Sequence, residues 1–191
     1  MRGVLLAWPA CLMAALLPLS AVAEVSEQLV YGYYTVEQPP GQSLRQSLNQ
    51  ATPIRHDGEV FHGHTNWRVQ WRFRWHEDQG GRCRLVQNKT ALTADITLPD
   101  LARADEPTRR VFGTYLGALK THELGHYQIA RSVARKVDDA ILGLPAMSSC
   151  ALLERTANQL GRDLIAQGNL ADRQYDQTTG HGRTQGAWLP R

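Results

Sequence analysis

The chain has 191 residues, enough for one domain with a hydrophobic core, and its formal net charge of +3 is small. Such a weak positive charge argues against nucleic acid or an anionic membrane as the main partner. With 42% hydrophobic and 20% charged residues, the composition is that of a folded protein and excludes a largely disordered chain.

The first 23 residues have the pattern of a secretory signal peptide. Arg2 precedes an almost wholly apolar run from Val4 to Leu19, and small residues end the segment at Ala21-Val22-Ala23. The apolar run is short for a bilayer span and is interrupted by proline, so no stable membrane anchor is expected. We therefore predict a cleaved signal peptide (residues 1–23), a single mature domain (residues 24–191) and a periplasmic or secreted location.

The cysteines agree with export. Cys11 lies within the signal segment, which leaves Cys83 and Cys150 as an even pair. Disulfides form and persist in oxidising compartments outside the cytosol. We predict a disulfide between these two residues that ties the middle of the chain to its C-terminal helix, with two buried free thiols as the alternative.

The N-terminal half has the residue patterns of β-strands. A first strand is predicted over Tyr31–Val36, followed by a short helix over Ser43–Leu48. The strongest pattern runs from Trp67 to Trp75, where large apolar residues alternate with arginine and glutamine. After turn residues at 77–81, a second extended stretch from Cys83 to Leu98 predicts a hairpin or meander.

Two long helices are predicted in the C-terminal half. Asp105-Glu106-Pro107 is typical of a helix start, and apolar residues then recur at steps of three and four to about Leu142. The segment Gly143–Ser149 separates this helix from a second one, which begins at a serine cap and extends to at least Gln167. Strands first and helices afterwards predict an α+β fold, with an antiparallel sheet packed on both helices.

The pentapeptide His122-Glu123-Leu124-Gly125-His126 lies in the middle of the first long helix. Residues i and i+4 share a helix face, so both imidazoles can reach one metal ion. Two neutral imidazoles and an open position suit a catalytic Zn²⁺, with His122 and His126 as ligands and Glu123 as the general base that takes a proton from water. Gly125 costs about 1 kcal/mol relative to alanine inside a helix. This cost indicates either the close approach of a strand or substrate beside the metal, or a tolerated defect.

A catalytic zinc site needs a third protein ligand. The segment Tyr175–Gly182 contains a phenol, a carboxylate and imidazole, and we predict His181 as the third ligand because imidazole suits Zn²⁺. Asp176 is the alternative, either as a ligand or as the hydrogen-bond partner of a ligand imidazole. Tyr175 is predicted to be catalytic, as a phenol donor to an oxyanion, with packing at the helix end as the alternative. A straight second helix would carry His181 about 20 Å past the motif, so a bend near Gly168 or a large crossing angle is expected.

The chain resembles the bacterial proteins of domain of unknown function 922, which are described as predicted secreted zinc-dependent proteases. The resemblance covers nearly all of the mature chain. It includes the tryptophan-rich strand, HELGH with its helix, both mature-chain cysteines and the terminal segment YDQTTGHGRTQGAW, whose most specific positions are Tyr175, Asp176, Thr179, His181, Gly182, Gln185 and Trp188. The resemblance implies a zincin-like fold and a metal site. The protease activity of that family is itself inferred from HExxH.

Together these patterns predict a zinc-dependent metallohydrolase of the periplasm or exterior, and in particular a metalloprotease. Zinc and Glu123 are expected to activate water for attack on a peptide carbonyl. By analogy with zinc peptidases, an edge strand is expected to bind an extended substrate, which is a peptide or protein of the cell envelope. One alternative is an amidase that acts on cell-wall peptide with the same site, and another is a non-catalytic, metal-containing binding module of the envelope.

Overall fold

The structure is a computed structural model that describes residues 24–190, so the predicted signal peptide lies outside the described residues. The described range contains five strands, three helices and a final 3₁₀ turn. In chain order these are β1 (Glu24–Glu37), α1 (Leu44–Ala51), β2 (Arg55–His56), β3 (Glu59–Val60), β4 (His64–Glu77), β5 (Cys83–Arg103), α2 (Glu106–Leu142), α3 (Cys150–Thr179) and the 3₁₀ turn Arg183–Gln185.

A three-stranded mixed sheet with the order β1-β5-β4 lies beside the helices. β4 and β5 form the predicted antiparallel hairpin. β1 runs parallel to β5, from Glu24 opposite Lys89 to Val36 opposite Leu101, so the prediction of a purely antiparallel sheet is wrong for this strand. The reason lies in the connection: a parallel pair needs a long crossover, and α1, the β2–β3 hairpin and β4 supply the intervening chain.

Alternation along the strands gives the sheet one apolar face. β5 buries Leu92, Ala94, Ile96 and Leu98 at every second position. On β4 the alternating residues Trp67, Val69, Trp71 and Phe73 are fully or partly buried, while the arginines between them are exposed. Trp75 departs from the predicted pattern and is exposed, because the strand register shifts between Arg74 and Trp75. Each buried aliphatic side chain contributes about 1.5–3 kcal/mol, which accounts for the packing of this face on α2.

The helix α2 begins and runs as its sequence indicates. The side chain of Asp105 caps it by accepting a hydrogen bond from the backbone N–H of Thr108 at 2.8 Å, and Pro107 lies in the first turn. Its buried residues recur at steps of three and four from Phe112 to Ile141. The HExxH motif therefore lies on the buried side of a 37-residue helix.

The helix α3 is continuous from Cys150 to Thr179, so the bend expected near Gly168 does not occur. Gly168 instead allows the Val133 side chain of α2 to approach the α3 backbone. The chain reverses direction only at Gly180, whose left-handed conformation (φ 56°) ends the helix. α3 thus continues, without a kink, 12 residues past Gln167, to which it was predicted to extend at least, and carries the terminal segment to the metal motif.

The predicted disulfide between Cys83 and Cys150 is confirmed, with a Cα–Cα distance of 4.9 Å. Cys83 also exchanges two backbone hydrogen bonds with Met147, of 2.9 and 2.8 Å. These links join the start of β5 to the start of α3 and thereby fix the position of the N-terminal end of α3 relative to the sheet. None of the helices within residues 24–190 combines the length and hydrophobicity that a membrane crossing requires.

Candidate metal centre

The two histidines of the motif point to one place, as their spacing predicts. His122 and His126 are 3% and 6% exposed, and their Nε2 atoms lie 3.2 Å apart. The rings are nearly perpendicular, with centroids 4.8 Å apart. Two imidazoles on successive turns of α2 therefore direct the same ring nitrogen to a shared point.

Asp176 on α3 completes a three-donor cluster. Its Oδ1 lies 3.2 Å from Nε2 of His122 and 3.1 Å from Nε2 of His126. Ligands about 2.0 Å from a tetrahedral Zn²⁺ are about 3.3 Å from one another, so these separations fit three corners of one coordination sphere. The two imidazoles and the carboxylate form a group of potential metal donors, and the donor set is one that zinc binds.

His181, the predicted third ligand, lies next to this cluster. Its Nδ1 is 3.5 Å from Oδ1 of Asp176, and its side chain is 51% exposed and packs against Phe61 with the two rings tilted by 54°. The structure thus brings Asp176, the alternative of the sequence prediction, between the two motif histidines, and leaves His181 on the solvent side of Asp176.

The outer nitrogen of each motif histidine has its own partner. Nδ1 of His126 lies 2.8 Å from Oδ1 of Asp172, and Nδ1 of His122 lies 2.9 Å from Oε1 of Gln185. Both partners are oxygen acceptors, so this hydrogen-bond network assigns the ring proton to Nδ1 and directs the Nε2 lone pairs toward the cluster. This is the arrangement that orients metal-ligating histidines in proteins.

The acidic surroundings strongly perturb the ionisation of the cluster. Burial opposes a charge on His126, but the hydrogen bonds and charges of Asp172 and Asp176 prevail and raise the pKa of His126 to about 10. Burial likewise opposes ionisation of Asp176, yet hydrogen bonds from the two imidazoles hold the pKa of Asp176 well below its usual range. An environment that stabilises a proton so strongly also favours a divalent cation, which competes with that proton.

Glu123 is buried beside the cluster and lines the same cavity as the histidines. Its Oε2 accepts a hydrogen bond of 2.7 Å from the Thr65 hydroxyl, which also donates to the Glu123 backbone carbonyl. Burial raises the pKa of the Glu123 carboxyl, while the Thr65 hydrogen bond acts in the opposite direction. Gly63 gives the carboxylate its space, because a Cβ there would lie 2.6 Å from Oε1.

Tyr175 packs behind the histidines. Its ring stacks on that of His122, with centroids 5.0 Å apart and planes at 11°. The hydroxyl lies over Gly125, donates to the backbone carbonyl of His122 at 3.3 Å and accepts from Nε2 of Gln185 at 2.9 Å. Gly125 is therefore explained by close approach, but the approaching group is a tyrosine of α3 rather than a strand or substrate. Tyr175 is not among the described residues that line the cavity, which favours the packing alternative over an oxyanion role.

A left-handed turn delivers Gln185 to the site. Gly180, His181 and Gly182 have φ values of 56°, 52° and 80° in succession. Three residues in this region reverse the chain within one turn, and the non-glycine residue costs about 1–2 kcal/mol there. Gly182 packs directly on the His122 ring, where a Cβ would lie 2.9 Å from Cγ. The glycines of the terminal segment are thus needed for both the turn and the contact.

The cluster opens into a cavity of about 690 Å³. One part of its wall consists of the motif residues of α2 and the acids of α3, and another consists of α1, the β2–β3 hairpin and the start of β4. A cavity of this size accommodates several residues of a peptide or a comparable small molecule.

Sequence reasoning did not assign roles to three residues of this site. Asp172 precedes Asp176 by four residues, the same helical spacing as the two histidines, and this spacing was the available signal. Thr65 and Arg45 have no local signal, because β4 and α1 bring them to the cavity only when the chain folds.

The fold and the site define an α+β protein with a candidate three-ligand metal centre on an HExxH helix. The family described as "Bacterial protein of unknown function (DUF922)" matches residues 31–182, and the chain belongs to this family. The family description assigns no activity, so zinc-dependent protease activity remains a prediction. Comparison with curated proteins gives no significant match, and comparison with solved structures gives none either.

Proposed function

We propose that this chain is an exported zinc-dependent hydrolase that cleaves peptide bonds. One observation carries the proposal: the Nε2 atoms of His122 and His126 and the Oδ1 atom of Asp176 converge within 3.1–3.2 Å of one another at the wall of a cavity that Glu123 also lines. A binding module needs no buried carboxylate beside its metal ligands, whereas metal-assisted hydrolysis does.

The metal would be held by the two motif histidines and Asp176. When bound, zinc supplies a Lewis acid that polarises a carbonyl and makes water more acidic. Asp172 and Gln185 keep the ligand imidazoles in the required tautomer and orientation. His181 is the alternative third ligand in this proposal. It lies close enough to Asp176 either to bind the metal in its place or to donate a hydrogen bond to it.

Glu123 is proposed as the general base. Its carboxylate is held by Thr65 at Oε2, so Oε1 remains to accept the proton of water and to return it to the leaving amine. Burial of this 3%-exposed side chain raises the pKa of its carboxyl, which makes the carboxylate a stronger base toward the proton of water.

Export to the periplasm or exterior is part of the proposal. The disulfide between Cys83 and Cys150 supports it, because such bonds are rare in reducing cytosol. The apolar leader of residues 1–23 has the pattern of a signal peptide. The proposed substrates are therefore peptides or proteins of the cell envelope.

Metal content and turnover of the mature chain test this function. The protein of residues 24–191 is saturated with Zn²⁺, dialysed and analysed for bound metal, together with alanine variants of His122, Asp176 and His181. We expect one zinc per chain, loss in His122→Ala and Asp176→Ala, and retention in His181→Ala. The exposed His76 of β4 provides the matched control, since His76→Ala should keep its zinc. Loss in His181→Ala with retention in Asp176→Ala would reverse the ligand assignment, and a zinc-free wild type would overturn the site.

Glu123→Gln separates catalysis from metal binding. The variant should keep its zinc and lose at least about 100-fold in turnover of casein-derived peptides, because a general base contributes 10²–10⁴-fold. Purified peptidoglycan assayed beside those peptides identifies an amidase. Unchanged turnover in Glu123→Gln, or none in the zinc-loaded wild type on either substrate, would contradict the proposed mechanism.

A further inference from the structure

The cavity of the metal centre is also lined by an arginine, Arg45. Arg45 lies in the first turn of α1, is half-buried and lines the same cavity as His126, Glu123 and Asp176. Among the described residues, 24–190, no carboxylate forms an ion pair with its guanidinium. Arginine is normally paired when it is withdrawn from water, because the lost hydration of the charge has to be replaced.

The carboxylates of the cavity are held by other groups. Glu123 is bound by Thr65, and the two acids of α3 are bound by the motif imidazoles. None of them neutralises Arg45. The cavity therefore has an acidic side, which is suited to a metal cation, and a separate basic side.

A hydrogen-bonded polar wall lies beside the basic side of the cavity. His62 bridges Asn49 and Tyr115, with its Nε2 2.8 Å from the amide oxygen and its Nδ1 2.7 Å from the phenol. Burial first, and then the charge of Arg45, lowers the pKa of His62 to about 4, so this imidazole is neutral at physiological pH. Arg45 is close enough to affect both His62 and Tyr115. Its charge thus lies near an imidazole and a phenol that cannot neutralise it.

Arg55 adds a second cation to this wall. It lines the same cavity, and its Nη2 donates to the backbone carbonyl of Asn49 at 3.1 Å. Asn49 therefore connects Arg55 to His62, and through it to Tyr115. The two arginines lie on α1 and β2, and neither element contributes one of the three candidate metal donors.

We propose that Arg45 binds a carboxylate of the substrate, with Arg55 assisting at the rim. This inference rests on the proposed function and names its substrate class: peptides that bear a carboxylate near the bond to be cleaved. The carboxylate is either the C-terminal group or the side chain of an acidic residue. A guanidinium binds a carboxylate through two parallel hydrogen bonds, which fixes both position and orientation. The substrate thus supplies the anion that the fold does not.

Paired peptide pools test this subsite. Internally quenched fluorescent peptides with six randomised positions are prepared with a C-terminal carboxylate or amide, and separately with Glu or Gln at a fixed central position. Zinc-loaded wild type should cleave one charged pool about 10- to 100-fold faster, in kcat/KM, than its neutral partner, the range expected for hydrogen bonds to a charged group. The pool pair that shows the preference identifies the source of the carboxylate.

Variants connect the preference to Arg45. Arg45→Ala should abolish it and Arg45→Lys should retain part of it, while Arg45→Glu should prefer the neutral pool. Arg68→Ala is the matched control, because Arg68 lies on the exposed face of β4 outside the cavity. Thermal unfolding of each variant shows that the fold is retained, and the Lys variant tests the charge if alanine does not fold.

The outcomes separate this inference from the function on which it rests. Equal cleavage of charged and neutral pools by wild type overturns the carboxylate subsite and leaves the hydrolase function standing. Cleavage of no pool contradicts the peptidase function, and retention of the same pools on immobilised zinc-loaded Glu123→Gln then decides the subsite. Selective retention of a charged pool that is lost with Arg45→Ala supports it, and equal retention of both pools overturns it.

Discussion

Replacement of Gly125 by alanine should destabilise this protein, although the same change normally stabilises a helix. A Cβ at Gly125 would overlap the hydroxyl and Cζ of Tyr175 and lie 2.7 Å from its Cε1. The Tyr175 side chain cannot readily adopt another rotamer, because its ring is stacked on His122 and its hydroxyl accepts a hydrogen bond from Gln185. Relief of the overlap must shift α3, which also carries Asp176.

The magnitude follows from two opposing terms. Alanine in a helix interior gains about 1 kcal/mol over glycine, whereas overpacking of a filled contact costs about 1–3 kcal/mol. We therefore expect Gly125→Ala to be less stable than wild type by up to about 2 kcal/mol. Gly117 provides the control, since it lies in the same helix and a Cβ there meets nothing within 4 Å. Gly117→Ala should gain up to about 1 kcal/mol.

Denaturant unfolding of the metal-free protein measures both variants, and a competitive chelator titration measures their zinc affinity. Because Tyr175 and Asp176 are adjacent, Gly125→Ala should also weaken zinc binding by about 10- to 100-fold, as loss of a ligand's support does. In the Tyr175→Ala background the overlap is gone, so Gly125→Ala should become stabilising there. A Gly125→Ala variant as stable as Gly117→Ala in the wild-type background would refute the packing argument.

Three further predictions concern the support of the site and the fold. Asp172→Asn should weaken zinc binding by about 10- to 100-fold, because it weakens the acceptor for His126; unchanged affinity in a chelator titration would contradict that role. His62 has its pKa lowered to about 4 in the folded state against about 6.5 unfolded, so the unfolded chain is protonated first and stability falls as the pH drops from about 6.5 to 4. This contribution, about 2 kcal/mol after allowance for partial exposure, should be absent from urea titrations of His62→Gln, and parallel pH curves for the two proteins would refute it. Reduction of Cys83–Cys150, whose residues are 67 apart in sequence, should cost about 4 kcal/mol by the chain-entropy model, and an equal unfolding midpoint with and without reductant would contradict it.

Sequence patterns predicted the local elements of this fold because those patterns are themselves local. The alternation from Trp67 to Trp75 lies within β4, and the three- and four-residue spacing after Asp105 gives α2 its buried face. The sheet was only partly predicted. The direction of β1 depends on how the chain crosses between layers, and no periodicity within Tyr31–Val36 encodes it.

The metal centre shows the same division. HExxH specifies two donors and a neighbouring carboxylate by helical geometry alone, and the sequence by itself therefore determined His122, Glu123 and His126. It also supplied His181 as the predicted third ligand and Asp176 as the alternative. Which of the two lies between the motif histidines depends on the register in which α3 packs on α2. Gly161, Gly168 and the disulfide influence this register through contacts distant in sequence.

Only the tertiary structure decided what surrounds these donors. Tyr175 lies against Gly125 instead of facing the cavity, and Asp172 forms a hydrogen bond with the imidazole of His126. Arg45 brings to the cavity, from a helix far along the chain, a charge that no carboxylate of residues 24–190 pairs with. The physical reason is that a donor's identity resides in its side chain, whereas its direction, burial and partners are set by packing between elements. The sequence thus determined which groups could bind a metal and carry a proton, and the fold decided which of them meet.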